Sequence, residues 1–126
     1  MKKIALLAAC AALTATPVLA DTAAELNIGQ THAGMAAKAT NLKTTQMHLQ
    51  HALNCLVGPS GDGFNAAPGN PCAKAGNGAI PDSSDDGQKA KLQTAVTSAK
   101  AGLATTDLAM AQKDAQETAD AIGAAK

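Results

Sequence analysis

The 126-residue sequence predicts an all-α fold, an antiparallel helical hairpin, from three observations. Residues 22–56 and 88–122 are proline-free, alanine-rich stretches of matching length; large apolar residues recur in them at helical spacing; and residues 57–87 between them are punctuated by glycine and proline. The core implied is thin, because from Asp21 onward only 17 residues are Leu, Ile, Val, Met or Phe. Two helices with alanine seams bury too little to be stable alone, so the reading adds a second copy, a homodimer closing a four-helix bundle.

The first twenty residues read as a leader. Lys2 and Lys3 precede an apolar run from Ile4 to Leu13, and Val18-Leu19-Ala20 places small residues at a cleavage site, predicting a signal peptide over 1–20 and one domain over 21–126. The expected location is periplasmic or secreted. A rival reading takes Leu7-Ala8-Ala9-Cys10 as a lipobox that lipidates Cys10, but the apolar stretch before it is short. Thr14, Thr16 and Pro17 interrupt the run before it could span a bilayer, so no membrane insertion is expected once the leader is gone.

In the first helix, about 22–56, Thr22-x-x-Glu25 is a capping box and Asn27 with Gln30 a second possible start. Ile28, Met35, Leu42, Leu49 and Leu56 fall every seven residues, with His32, Ala39, Gln46 and Leu53 interleaved, which is a coiled-coil seam. Gly29 and Gly34 weaken its first turns.

The segment 57–87 reads as loop, long enough to need a tether. In an oxidising compartment Cys55 and Cys72 supply one as a disulfide, worth about 3 kcal/mol by chain entropy. Thiolate zinc ligation is the alternative, but C-x16-C matches no zinc pattern. Phe64 and Ile80 are the expected anchors of the loop on the helices. The second helix, about 88–122, follows the acids Asp82, Asp85 and Asp86 and ends before Gly123. Its stripe Leu92, Val96, Ala99, Leu103, Thr106, Met110 gives way to a shifted phase at Leu108, Ala111, Ala115 and Ile122.

Composition excludes several functions. The chain has no Trp, Tyr or Arg and Phe64 is its only aromatic; losing Lys2 and Lys3 leaves eight lysines against ten acids, so nothing attracts nucleic acid. No C-x-x-C-H attaches haem, the acids at 82–86 miss the alternation of an EF-hand, Gly58–Gly63 lacks a phosphate-loop lysine, and no serine has an activating context. An enzyme is not expected.

The titratable chemistry near neutral pH rests on three histidines, all in the first helix. His48 and His51 are i and i+3, Met47 and His51 are i and i+4, and Cys55 lies one further turn on, so Met47, His48 and His51 form a ligand nucleus near the disulfide. Imidazole suits Cu(II), Zn and Ni and thioether suits Cu(I), which makes copper the first expectation, with zinc or nickel behind it. His32 sits in the seam, where it fixes register or, in an antiparallel dimer, joins the second subunit's ligands; Met35 and Met110 read as core filler. The competing reading has the histidines merely supporting the loop of a structural or protein-interaction module.

Alanine-rich exported helices carrying histidine and methionine resemble the small periplasmic metal-binding proteins that fold as helical hairpins or four-helix bundles. The resemblance implies a metal-binding, non-enzymatic role. Those proteins repeat histidine at nearly every heptad, whereas this chain has only His32, His48 and His51, which argues against high-capacity storage. The block His48-Leu-Gln-His51-Ala-Leu-Asn-Cys55-Leu-Val-Gly-Pro with Gly69-Asn-Pro-Cys72 also resembles a motif of uncharacterised exported bacterial proteins, with no activity attached.

Overall fold

The computed structural model describes residues 20–126; of the expected leader only Ala20 is among them, and Cys10 lies outside. These residues are helical without strands: α1 Thr22–Lys38, α2 Leu42–Val57, a single turn α3 Ala79–Asp82, α4 Asp86–Ala104 and α5 Leu108–Ala124. No described helix is long and apolar enough to cross a membrane.

Each long helix expected from the sequence is therefore two. Ala39 and Thr105 turn extended, and the chain re-enters helix through Asn41 and Asp107, whose side chains accept from the amides of Thr44 (2.9 Å) and Met110 (2.8 Å). Ala39-Thr40-Asn41-Leu42 and Ala104-Thr105-Thr106-Asp107-Leu108 are the same device, a short β-branched interruption followed by an N-cap. The phase shift in the second half of the sequence marks this break. In the first half the seven-residue spacing happens to continue across it.

The four helices close a bundle within one chain. His32 meets His48 across α1 and α2, Gln30 reaches the Ala119 carbonyl on α5, Gly102 of α4 lies against Leu49 of α2 and Ala111 of α5, and Lys91 reaches the Ala124 carbonyl. In the pairs α1–α2, α4–α5, α1–α5 and α2–α4 low numbers meet high ones, so these neighbours are antiparallel; α1 and α4 bring no Cα atoms within 8 Å of each other and stand across one diagonal, with α2 and α5 across the other. The hairpin of two long helices is thus replaced by two short hairpins packed together, and a second copy is not needed to supply the other two helices.

Leu26, Leu49, Leu53, Leu56, Leu92, Val96 and Ile122 form the core with buried alanines. Ile28 is only half-buried, and Met35 (45% exposed) and Met110 (58%) face solvent instead of filling the core. The heptad phase is right in α2 and wrong in α1 because it does not survive the turn at 39–41. Glycine lets the thin core close: a Cβ on Gly102 would sit 2.6 Å from Leu49 Cδ1. The two hairpins also cap each other, since Gln46 donates to the carbonyls of Leu103 (3.1 Å) and Thr105 (2.9 Å) at the end of α4, and Gln112 donates to Ala39 O (2.8 Å) at the end of α1.

Residues 58–78 lie over α2 and the start of α1. Cys55 and Cys72 are disulfide-bonded, as expected. Ile80 packs on the core, but Phe64 is only half-buried, and the loop is held chiefly by polar groups of α2 that its apolar content did not suggest. Asn54, 1% exposed, donates to Asn65 O (2.7 Å) and Gly69 O (2.8 Å) and accepts from Asn65 N, while Gln50 donates to Gly63 O (2.9 Å) and to Asn54 itself.

Candidate metal centre

The turn at Ala39–Asn41 folds α1 back along α2 and carries His32 onto His48 and His51, from which it is separated in sequence by four to five helical turns. One nitrogen of each ring lies within 4.8 Å of the others, and all three side chains are half-buried. Close approach of the helices is what permits this: Gly29, one turn before His32, lets α1 settle against Cys55 Cβ, 3.4 Å from where its own Cβ would be.

His51 is oriented by the loop. Its Nε2 is 2.8 Å from the Pro68 carbonyl, which can only accept, so Nε2 carries a hydrogen and in the neutral ring Nδ1 presents a bare lone pair. That Nδ1 is buried and has no hydrogen-bond partner among the described residues. His32 Nδ1 and His48 Nδ1 are 3.1 Å apart. The spacing suits one hydrogen bond between the rings; it equally suits two ligands of one ion, since metal–nitrogen bonds of about 2.0–2.1 Å place adjacent donors roughly 2.9–3.4 Å apart. The rings are inclined, with His51 edge-on to both others at centroid separations of 4.8 and 5.8 Å.

Electrostatics disfavour the cations of His32 and His48. Burial, followed by repulsion from His51 and His48, pulls His32 down to about 4, and burial with the neighbouring His51 lowers His48. Three imidazoles in contact cannot all be cations, and neutral rings are the form that binds a metal.

The sequence placed Met47, His48 and His51 on one stretch of helix; the fold adds His32 as a third nitrogen donor. Met47 is 38% exposed and lines a surface groove with Gln50, Asn65 and Pro68, the residue whose carbonyl fixes His51. Cys55, one turn beyond His51, is committed to the disulfide. Reading the sequence missed Pro68 and Asn54 as the groups that orient His51 and its loop, and misread Glu25. The N-cap of α1 is Asp21, which accepts from Ala24 N (2.9 Å); Glu25 is fully buried and accepts from Gly78 N (2.7 Å). Burial raises its carboxyl to about 7, with Asp82 and Asp21 adding to the shift against the Gly78 hydrogen bond.

No family model, no curated protein and no solved structure matches the chain.

Proposed function

We propose that the protein is a non-enzymatic, exported metal-binding protein whose ion is held by His32, His48 and His51, with copper favoured over zinc and nickel. The observation that carries the reading is His51: a backbone carbonyl holds its Nε2–H and its Nδ1 is buried and unpartnered, in a ring that has one nitrogen within 4.8 Å of a nitrogen of His32 and of His48. A histidine whose second nitrogen donates to a carbonyl is the usual arrangement of a metal ligand. Three imidazoles leave a coordination position open, and Met47, at the rim of the adjoining groove, offers the thioether that would favour copper, above all Cu(I). The test is titration of the oxidised protein with Cu(II), Cu(I), Zn(II) and Ni(II). Saturable one-to-one binding should be lost in the His48→Ala/His51→Ala protein, and His32→Ala should weaken it at least tenfold; unchanged affinity in both would sink the assignment.

The second reading, a structural or protein-interaction module, is favoured by one observation, the part His51 plays beside Gln50 and Asn54 in holding the loop. In that case the double-alanine protein melts lower by the same amount with and without metal. Pairing of two copies has lost its original reason, because four helices of one chain already enclose the core; sedimentation is expected to give the mass of a single chain.

A further inference from the structure

We propose that the metal centre is completed only when the Cys55–Cys72 disulfide has formed, so that oxidation of the chain precedes loading with the ion. The inference rests on the metal reading above and concerns how the same site is assembled. Cys55 follows His51 by one helical turn, and Cys72 follows Pro68 by four residues, so the bridge pins the segment carrying Pro68 to α2 one turn beyond His51, and the His51–Pro68 contact stands beside the neck of the closed loop. Everything that sets the Pro68 carbonyl on His51 is local to that neck: the Asn54 side chain holds the carbonyls of Asn65 and Gly69 on either side, and the Asn70 side chain accepts from Cys72 N. Gly69, at φ 113°, turns the chain beside the ring, its missing Cβ 3.5 Å from His51 Nε2.

With the thiols free, the Gly- and Pro-rich segment regains its conformational freedom, and Pro68 is no longer confined to the His51 ring. His51 then exchanges tautomers, and Nδ1 is a bare donor only part of the time. Formation of the bridge is a thiol–disulfide exchange: Cys55 and Cys72 give up two protons and two electrons to a disulfide-bearing oxidant, which leaves as a dithiol. Cys55 is then 0% and Cys72 3% exposed, so the completed bridge is shielded from thiol attack and the site stays assembled.

The experiment is a competition titration with Zn(II), which needs no redox control, on four proteins: the oxidised chain, Cys55→Ser/Cys72→Ser, His51→Ala, and the triple variant. Removing the bridge should weaken binding by roughly 10- to 100-fold, as loss of an orienting contact to a ligand does, and should have almost no effect when His51 is already alanine. An equal loss in both backgrounds, or no loss in either, overturns the inference. Should the serine variant fail to fold, Gly69→Ala moves the Pro68–Gly69 peptide with the bridge intact and should give the same His51-dependent loss; retained affinity there counts against it. Nitrogen-15 spectra of the metal-free proteins separate this inference from the metal reading. A single Nε2–H tautomer at His51 that becomes mixed on removal of the bridge supports the positioning even if no protein binds Zn(II); a tautomer unchanged by removal of the bridge refutes it.

Discussion

The α1–α2 and α4–α5 hairpins are built on one pattern, displaced by the 66 residues between their caps Asn41 and Asp107. Leu26, Gly29, Ala33 and Ala36 are buried in α1, and Leu92, Ala95, Ala99 and Gly102 are buried at the matching places in α4. Thr45, Leu49, Ala52, Leu53 and Leu56 in α2 correspond in the same way to Ala111, Ala115, Thr118, Ala119 and Ile122 in α5. Val96 is buried in α4 where Gln30 of α1 is half-buried; the larger difference is the set that only the first hairpin buries, Glu25, Gln50, Asn54 and Cys55. These are the residues under the 58–78 loop, and Lys91, Gln116, Asp120 and Ala121 stand in their places on the other hairpin, none of them buried. One scaffold thus occurs twice, and the histidine cluster stands in the copy that a loop covers. The two buried polar atoms without partners among the described residues, His51 Nδ1 and Glu25 Oε2, both belong to that copy.

The largest expected asymmetry is at Asn54. Alanine there strands Asn65 O, Gly69 O and Asn65 N and leaves Gln50 only its bond to Gly63 O, and should cost about 3 kcal/mol in chemical denaturation. Asp120→Ala at the equivalent surface position should stay within about 0.5 kcal/mol. Similar losses from the two would mean that the loop does not hold the first hairpin differently from the second.

Glu25 sharpens the contrast through pH. Its folded value of about 7 lies above the ordinary 4.5, so the fold binds the proton more tightly than the unfolded chain does. Its contribution is complete below about 4.5 and is lost as the pH rises through 7. Glu25→Gln keeps an acceptor for Gly78 N and removes the charge; it should stabilise the protein by roughly 2 kcal/mol at pH 8 and by almost nothing at pH 4. His32 acts in the opposite sense. Held near 4 against an ordinary 6.5, it supports the fold above 6.5 and loses that support as the pH falls towards 4, so His32→Gln should flatten the acid side of the stability profile where Glu25→Gln flattens the alkaline side. A melting profile of Glu25→Gln that still falls between pH 5 and 8 as in the parent would place its proton elsewhere.

Much of this was legible in the sequence, and the failures have physical causes. The helices and the loop follow from proline and glycine placement, the bridge from the cysteine count, and the neighbourhood of His48 and His51 from helical spacing. The break at Asn41 was hidden because Leu42 and Leu49 prolong the spacing of Ile28 and Met35 across a three-residue turn, so a tertiary fold-back read as one seam. That turn is also what brings in His32, whose place in the cluster depends on a distant helix and has no local signature. Glu25 followed a capping-box spacing to the letter, yet its carboxyl is recruited by an amide 53 residues away.

The smallest effects test whether the hairpins hold each other symmetrically. Gln46 and Gln112 occupy equivalent positions, five residues after their caps, and each donates to a carbonyl at the C-cap of the opposite hairpin's first helix. Gln46 serves the carbonyls of Gly102, Leu103 and Thr105 at the end of α4, whereas Gln112 serves Ala39 alone at the end of α1. A side-chain amide that ends a helix within a protein is worth about 1 kcal/mol, with the penalty growing when more carbonyls lose their donor. Gln46→Ala should therefore cost about 1.5 kcal/mol and Gln112→Ala about 1, measured by urea denaturation with unchanged slope. Hydrogen exchange locates the effect: Gln46→Ala should speed exchange at the end of α4, although the substitution lies in α2, and Gln112→Ala at the end of α1. Because the end of α1 leads into the turn that holds His32 against His48, the second substitution should also loosen the histidine cluster, and the first should leave it untouched.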